Sequence, residues 1–384
     1  MPTTKIKNAV YNILLPFVSP GCDSNPITDI IGHSIHHIRS VNKLYRKYHV
    51  LGSATLLSSG DDSSLILTSS SYPSHCAHED TFFRVASITK LATSILVLHL
   101  ADQEILDIDA PVTTFFLSEN LPDCFSVITL RSLLSHTSGL IDPPDLEKAV
   151  NSGIAFPDLI NRQNNILTTG SFHYSNLGFG IIGSVLESIF NKPVSQIFDE
   201  LLFQPLHMNA TLEGCRLDID KIMPVTRIFP YHPNQDLTLT PLGKMPLLAP
   251  DPLYHYGHTA GSMYTDIYSL FLLISILSGR KQDFLSERAV SEMKKQHASY
   301  GRISPSLSYG LGLLRISDPY ISDQTVYGHQ GFAYGCADGA FWEENTGRIM
   351  ITLNGGCSEA RTGRLGTANR DFLHWAYRKE LPEW

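Results

Sequence analysis

One apolar segment near position 90 constrains the fold of this chain more than any other stretch. From residue 88 to residue 100, apolar side chains cover nearly every face of a predicted helix: Ile88, Leu91, Ala92, Ile95, Leu96, Val97, Leu98 and Leu100. A helix on the surface of a globular protein is apolar on one side only. The sequence therefore predicts a central helix that other elements surround.

The segments before and after this helix predict a sheet that is built from both ends of the chain. Strand-like segments occur early and late, at Val50–Leu57, Ser64–Ser70, Tyr309–Ile316, Thr325–His329, Ala333–Trp342 and Arg348–Leu353. Residues 105–250 between them are rich in loops and mostly helical. We therefore predict an α+β fold, in which a central antiparallel sheet is flanked by helices and a mostly helical lobe is inserted.

This organisation gives four expected segments. Residues 1–24 form an N-terminal extension, residues 25–95 the first part of the sheet domain, residues 96–255 the inserted helical lobe, and residues 256–384 the second part of the sheet domain.

An amphipathic helix is expected over residues 27–46, because isoleucines follow a helical spacing at positions 27, 31, 35 and 38. Histidines at positions 33, 36 and 37 lie on this predicted helix. A metal site there lacks a visible fourth ligand, so a solvated histidine face is the better interpretation. No Cys-x-x-Cys pair occurs in the chain, and we expect neither a metal nor an organic cofactor.

The charge balance narrows the possible partners. The 384 residues contain 29 Lys+Arg and 37 Asp+Glu, a formal charge of −8, which argues against nucleic acid as the main partner. No apolar run approaches the roughly 20 residues that span a bilayer, so no transmembrane anchor is expected. The weak apolar stretch after Lys5 and Lys7 leaves export open, and a cytoplasmic location is the first expectation. The oligomeric state stays open.

Ser87 and Lys90 stand at the start of the apolar helix, three residues apart, which places them on one helix face. A serine hydroxyl is a poor nucleophile until a base takes its proton. Burial lowers the pKa of a lysine and so favours the neutral amine that can act as this base. Ser-x-x-Lys is a short motif that also occurs at Ser40–Lys43, so Ser87 as a plain helix cap remains the alternative on this motif alone.

Two later segments add residues of fitting chemistry. Tyr174 and Asn176 flank Ser175 just before a predicted helix, where a loop directs them into a cleft. A tyrosine beside a lysine can act as a phenolate or relay a proton, and an asparagine can bind both a substrate carbonyl and Lys90.

His329, Gln330 and Gly331 are expected to end a strand ahead of a hairpin, where the glycine admits a ligand to the backbone. The next amide, of Phe332, can join the amide of Ser87 as an oxyanion hole. His329 is a candidate hydrogen-bond partner for the tyrosine or for a substrate.

Together these segments resemble the serine β-lactamase and penicillin-binding protein superfamily, in its class C branch of D,D-peptidases, D-aminopeptidases and esterases. The resemblance spans residues 80–357 and rests on the order of several motifs: Thr81–Lys90, Leu133–Leu140, Tyr174–Asn176 with Gly178–Gly180, Pro205–Met208, Ala260–Met263 and Tyr327–Gly331. It implies a β-lactamase/transpeptidase-like fold. It also implies that Ser87 is acylated, that Lys90 accepts its proton, that Tyr174 is a second base, and that Asn176 binds substrate.

The resemblance implies a serine hydrolase that cleaves an amide, peptide or ester bond in a small-molecule or peptide substrate. His329 and Gln330 stand where true β-lactamases have Lys and Thr of a Lys-Thr-Gly triplet. A histidine is largely neutral at pH 7, which disfavours efficient β-lactam hydrolysis. An acyltransferase of the same fold, and a penicillin-binding sensor that does not turn over, remain the alternatives.

Overall fold

The computed structural model describes residues 26–32, 38–70, 75–116, 121–144, 146–163, 170–227, 235–236, 238–239, 242, 244, 246–358 and 364–377. Its helices are α1 Ile38–Lys47, α2 Thr89–Asp102, α3 Leu130–Leu134, α4 Leu146–Asn151, α5 Phe156–Gln163, α6 Asn176–Phe190, α7 Val194–Phe198, α8 His258–Gly261, α9 Ile267–Leu277, α10 Glu287–Lys294 and α11 Thr367–Tyr377.

The strands are β1 Ile27–Gly32, β2 Ser53–Ser59, β3 Asp62–Thr68, β4 Phe83–Arg84, β5 Ala210–Thr211, β6 Thr226–Arg227, β7 Gln235–Asp236, β8 Tyr264–Thr265, β9 Ala298–Ser299, β10 Leu307–Tyr309, β11 Leu314–Ile316, β12 Val326–Ala333, β13 Cys336–Glu343 and β14 Ile349–Asn354. Nine of them form one antiparallel sheet in the order β1-β3-β2-β14-β13-β12-β11-β10-β9.

The two ends of the chain meet in the middle of this sheet. Strand β2 pairs with β14, with Leu56 opposite Ile351, although nearly the whole sequence separates them. Helices α2 and α9 share a large apolar core with one face of the sheet, while α1 and α11 pack with residues of a second apolar cluster. The predicted α+β fold with a central antiparallel sheet is confirmed. The division into an extension, two sheet segments and an inserted lobe stays a prediction.

The predicted central helix is α2, which a single 3₁₀ turn, Ala86–Ile88, precedes. Of its 14 residues, 11 are buried, including polar Thr93 and Ser94. Both of these hydroxyls donate to backbone carbonyls, Thr93 to Thr259 at 2.8 Å and Ser94 to Lys90 at 2.8 Å. The helix is therefore enclosed on all sides, as its apolar pattern indicates.

Three sequence predictions are wrong in detail. The amphipathic helix expected over residues 27–46 begins only at Ile38, and Ile27–Gly32 is a strand that pairs with β3. Pairing with β3, which makes this segment the edge strand of the sheet, outweighs the helical spacing of the isoleucines, because strand formation depends on its partner more than on local pattern. The three histidines at positions 33, 36 and 37 lie outside the described residues, as does the N-terminal stretch before residue 26.

The segment predicted as one strand at Tyr309–Ile316 is two strands, β10 and β11, which turn back on each other. Gly312 in this turn has φ +66°, and a Cβ there would lie 1.8 Å from Ser94 Oγ on α2. Only glycine fits this close approach of the turn to the central helix.

Strand β12 also runs past its predicted end at His329 and continues to Ala333. The hairpin follows at Tyr334 and Gly335, so His329, Gln330 and Gly331 lie inside the strand. Within β12, Val326–Gly328 are the residues that pair with β11, and the remaining residues of β12 therefore extend beyond β11 along the candidate site.

Candidate active site

Ser87 occupies a tight turn between strand β4 and helix α2. Ala86, just before it, has φ +46°, a backbone conformation that non-glycine residues seldom adopt. Strand β12 lies directly against this turn, since a Cβ on Gly331 would be 2.3 Å from the carbonyl oxygen of Val85. The absence of a side chain at Gly331 thus lets the strand approach the backbone beside Ser87.

Lys90 is completely buried, and its amine faces Ser87. Its Nζ lies 3.2 Å from Ser87 Oγ, 2.8 Å from Asn176 Oδ1 and 2.7 Å from the carbonyl oxygen of Ala260. The predicted spacing of three residues therefore does bring the amine to the hydroxyl, one helical turn away.

The ring of Tyr174 lies beside the amine of Lys90. The centroid of its ring lies 5.0 Å from Lys90 Nζ, and both Ser87 and Tyr174 line one small cavity. The ring of His136 packs against it, with 4.3 Å between the ring centroids. Burial, followed by the charge of Lys90, lowers the pKa of His136 well below its ordinary value, so this neighbour is neutral near pH 7.

His329 is buried in the same cavity wall and bonds a residue that the sequence analysis did not select. Its Nε2 lies 2.8 Å from the hydroxyl of Tyr309, and its Nδ1 lies 2.7 Å from the carbonyl oxygen of Gln330. A carbonyl only accepts, so Nδ1 carries the proton and Nε2 accepts from Tyr309. Burial, then the charge of Lys90, lowers the pKa of His329 to about 3. It brings no positive charge to the site near pH 7.

Gln330 and Phe332 both line the cavity with Ser87. The side-chain amide of Gln330 forms two hydrogen bonds to the segment before α11. Its Nε2 donates to the carbonyl oxygen of Arg364 at 2.5 Å, and its Oε1 accepts from the backbone amide of Gly366 at 2.9 Å. The seven other residues selected from the sequence thus lie around Ser87. Lys90 bonds it directly and Asn176 bonds Lys90, while the others line this cavity or lie in the strand against the Ser87 turn.

Asp142 is a residue of this site that the sequence analysis missed. Its two carboxylate oxygens accept four hydrogen bonds from three consecutive residues: the Ser175 hydroxyl at 2.8 Å, the Asn176 backbone amide at 2.8 Å, the Asn176 side-chain amide at 3.0 Å, and the Leu177 amide at 2.9 Å. Because Asn176 Nδ2 donates to Asp142, its Oδ1 is turned toward Lys90. The carboxylate fixes both the start of α6 and the orientation of this amide.

We expect Asp142→Asn to lower kcat by about 10²-fold with little change in KM, because a small displacement of a catalytic group has effects of this size. An asparagine offers a single carbonyl oxygen to the four donors, so Asn176 loses its fixed orientation toward Lys90. The measurement is steady-state hydrolysis of an ester substrate. Asp266→Asn is the matched control, since Asp266 caps α9 in the same manner by accepting from Ser269. It is expected to lower stability while leaving kcat unchanged. An equal loss of kcat in both variants would contradict the positioning role of Asp142.

Within the described residues, no group of three or more His, Cys, Asp or Glu side chains is arranged to hold a metal ion. A search of the same residues for a helix long and apolar enough to cross a membrane found none.

Comparison with known proteins identifies the family. Residues 73–355, well over half of the chain, match the family model described as Beta-lactamase. The chain belongs to this family, and it is a serine hydrolase. The resemblance inferred from the ordered motifs is thereby confirmed.

One curated relative and two solved structures are similar to this chain, and the two structures share its fold. Esterase EstB of Burkholderia gladioli is 25% identical over 342 residues, which cover 77% of this chain and 83% of the esterase. The crystal structure of a D-stereospecific amidohydrolase from Streptomyces sp. superimposes with a TM-score of 0.63 at 23% identity, covering 81% of this chain and 91% of that one. EstCE1, titled a hydrolase with promiscuous acyltransferase activity, gives a TM-score of 0.63 at 21% identity, with 85% and 94% covered.

Proposed function

We propose that this chain hydrolyses esters or amides that have an uncharged leaving group, through an acyl-enzyme on Ser87. The observation that carries the proposal is the position of the Lys90 amine, fully buried and 3.2 Å from Ser87 Oγ. Two further partners of this amine, Asn176 Oδ1 and the Ala260 carbonyl, can only accept hydrogen bonds. Once this amine has given up one proton, it keeps two N–H groups for these acceptors and has one lone pair for the proton of Ser87.

In the proposed reaction, Ser87 Oγ bonds to the acyl carbon while its proton passes to Lys90 Nζ. The backbone amides of Ser87 and Phe332 stabilise the negative charge that develops on the carbonyl oxygen. Tyr174 relays a proton to the leaving oxygen or nitrogen as the bond to the acyl carbon breaks. Water then attacks the acyl-enzyme by the reverse transfers, which restores Ser87 and releases the acid.

The neutral state of His329 supports an uncharged leaving group. Peptides with a terminal carboxylate, and β-lactams, carry a negative charge close to the scissile bond, and a buried neutral histidine gives that charge no counter-ion. The relationship to esterase EstB points in the same direction. We therefore favour esters and amides of simple alcohols and amines over D,D-carboxypeptidase substrates.

Labelling with a fluorophosphonate tests the nucleophile. The Ser87 oxygen is expected to bond to phosphorus with loss of fluoride, and mass spectrometry should find the label on the peptide that contains Ser87. Ser87→Ala is expected to abolish both labelling and ester hydrolysis, whereas Ser40→Ala, in the other Ser-x-x-Lys segment, is expected to change neither. Label on a different residue of a fully active enzyme would refute the assignment.

A further inference from the structure

Two compartments of very different size meet at Ser87. The small one has a volume of about 70 Å³, and its lining includes Tyr174, Tyr309 and His329. The large one has a volume of about 470 Å³, and its lining includes Arg84 and Asn176. Both Ser87 and Phe332 line the two compartments, so a substrate bound at Ser87 places one part in each.

The position of Tyr174 indicates which compartment holds the leaving group and which holds the acyl group. This inference rests on the proposed function. Tyr174 lines the small compartment and is not among the residues that line the large one. Because the group that protonates the leaving atom has to lie within hydrogen-bond reach of it, the leaving group belongs in the small compartment. The acyl group therefore occupies the large one.

The large compartment carries an excess of positive charge. Within the described part of the chain, its charged lining residues are Arg84, Arg227 and Glu147, two cations against one carboxylate. Glu147 accepts a hydrogen bond from the hydroxyl of Tyr334, whose ring lies 4.4 Å from the guanidinium carbon of Arg84 and 5.8 Å from that of Arg227. Tyr334 thus holds the three charges in one cluster on the wall of the compartment.

Arg84 is unusually buried for a residue of its charge. Only 7% of its surface is exposed, and its Nε and Nη1 have no hydrogen-bond partner among the described residues. Neither Arg84 nor Arg227 forms an ion pair with a carboxylate in that part of the chain. The buried carboxyl of Asp338 is near enough for the charge of Arg84 to act on its pKa, but no carboxylate of the described residues bonds the guanidinium directly. Burial of a guanidinium that bonds no carboxylate is costly, and an anion in the adjoining compartment would offset that cost.

We propose that the acyl group of the natural substrate carries a carboxylate, which the cluster of Arg84 and Arg227 binds in the large compartment. The substrate class is an ester or amide that a small alcohol or amine forms with one end of a dicarboxylic acid. A guanidinium suits this recognition, since its planar donors match a carboxylate and its charge persists at every pH of interest.

The test compares two methyl esters of equal chain length, monomethyl adipate and methyl hexanoate, in the full chain by titration of the released acid. For the wild-type enzyme, kcat/KM is expected to be about tenfold or more higher for monomethyl adipate than for methyl hexanoate. A charge-assisted hydrogen bond contributes enough binding free energy to produce a difference of this size. Arg227→Leu is expected to lower kcat/KM for monomethyl adipate to about that for methyl hexanoate in the same variant, so that the preference is lost. Arg288→Leu, on the exposed side of α10, is the matched control and should retain the preference.

Equal rates for both esters in the wild-type enzyme, or a preference that persists in Arg227→Leu, would overturn the carboxylate site while hydrolysis itself stands. Failure of both esters together with absence of fluorophosphonate label on Ser87 would instead overturn the proposed function. Arg84→Met provides a second variant, and its fold is verified by thermal unfolding before its preference is measured.

Discussion

Lys90→Met is expected to lower kcat/KM for ester hydrolysis by about 10⁴-fold or more, because removal of one member of a nucleophile–base pair disables the pair as a unit. Methionine fills a similar volume but cannot take the proton of Ser87. The variant also leaves the Asn176 and Ala260 oxygens without this donor, which lowers the free energy of unfolding by about 1–3 kcal/mol for each buried group. Steady-state kinetics and denaturant unfolding measure the two effects separately.

The chain provides its own control for this experiment. Lys43 closes the second Ser-x-x-Lys segment, on α1, where its side chain is exposed and Ser40 Oγ accepts from the indole of Trp375. Lys43→Met is therefore expected to leave both activity and stability close to those of the wild-type enzyme. Full activity in Lys90→Met, with the fold intact, would exclude the lysine as the base.

Tyr174→Phe is expected to lower kcat by about 10²-fold, the usual contribution of a positioned acid or base. The substitution removes one hydroxyl and keeps the ring that packs against His136 and lies 5.0 Å from Lys90 Nζ. The fold should therefore be preserved, and labelling of Ser87 by fluorophosphonate should still proceed, because fluoride departs without needing a proton from Tyr174. Ester kinetics and labelling rates are measured on the same preparation.

Tyr300→Phe is the matched comparison for Tyr174→Phe. Tyr300 lines the same small compartment, so its loss of a hydroxyl changes the polarity of the cavity to a similar degree. We expect a much smaller loss of kcat for this variant. If the two variants are equally impaired, the hydroxyl of Tyr174 has no special part in proton transfer.

The sequence predicts those features that depend on residues close together in the chain. The three-residue spacing of Ser87 and Lys90 places both on one helix face, and the structure brings their polar atoms within 3.2 Å. The apolar run in α2 likewise predicts enclosure of that helix, since its periodicity has no polar side. The short connection Glu344–Gly347 between β13 and β14 is local in the same sense, since asparagine and glycine in a short loop are typical of a hairpin turn.

Features that depend on distant partners were not predicted. Asp142 reaches residues 33 to 35 positions further along the chain, and no local pattern indicates which donors its carboxylate will find. His329 bonds Tyr309, 20 residues earlier, through the packing of β10 beside the site. The local spacing at Ile27–Gly32 predicts a helix, whereas the segment is a strand because of its partner β3, which begins 30 residues downstream of the segment's end. In each case tertiary contact determines the outcome.

The pairing of β2 with β14 has a consequence for biosynthesis. Ser87 and Lys90 leave the ribosome well before β12, which supplies Gly331 and the Phe332 amide, and before β14, which fills the centre of the sheet. Contacts between such distant segments form slowly, because a long loop has to close first. A nascent or truncated chain that ends before these strands therefore carries Ser87 without the strand that lies against it, and hydrolytic activity is expected only once the chain has been made through β14.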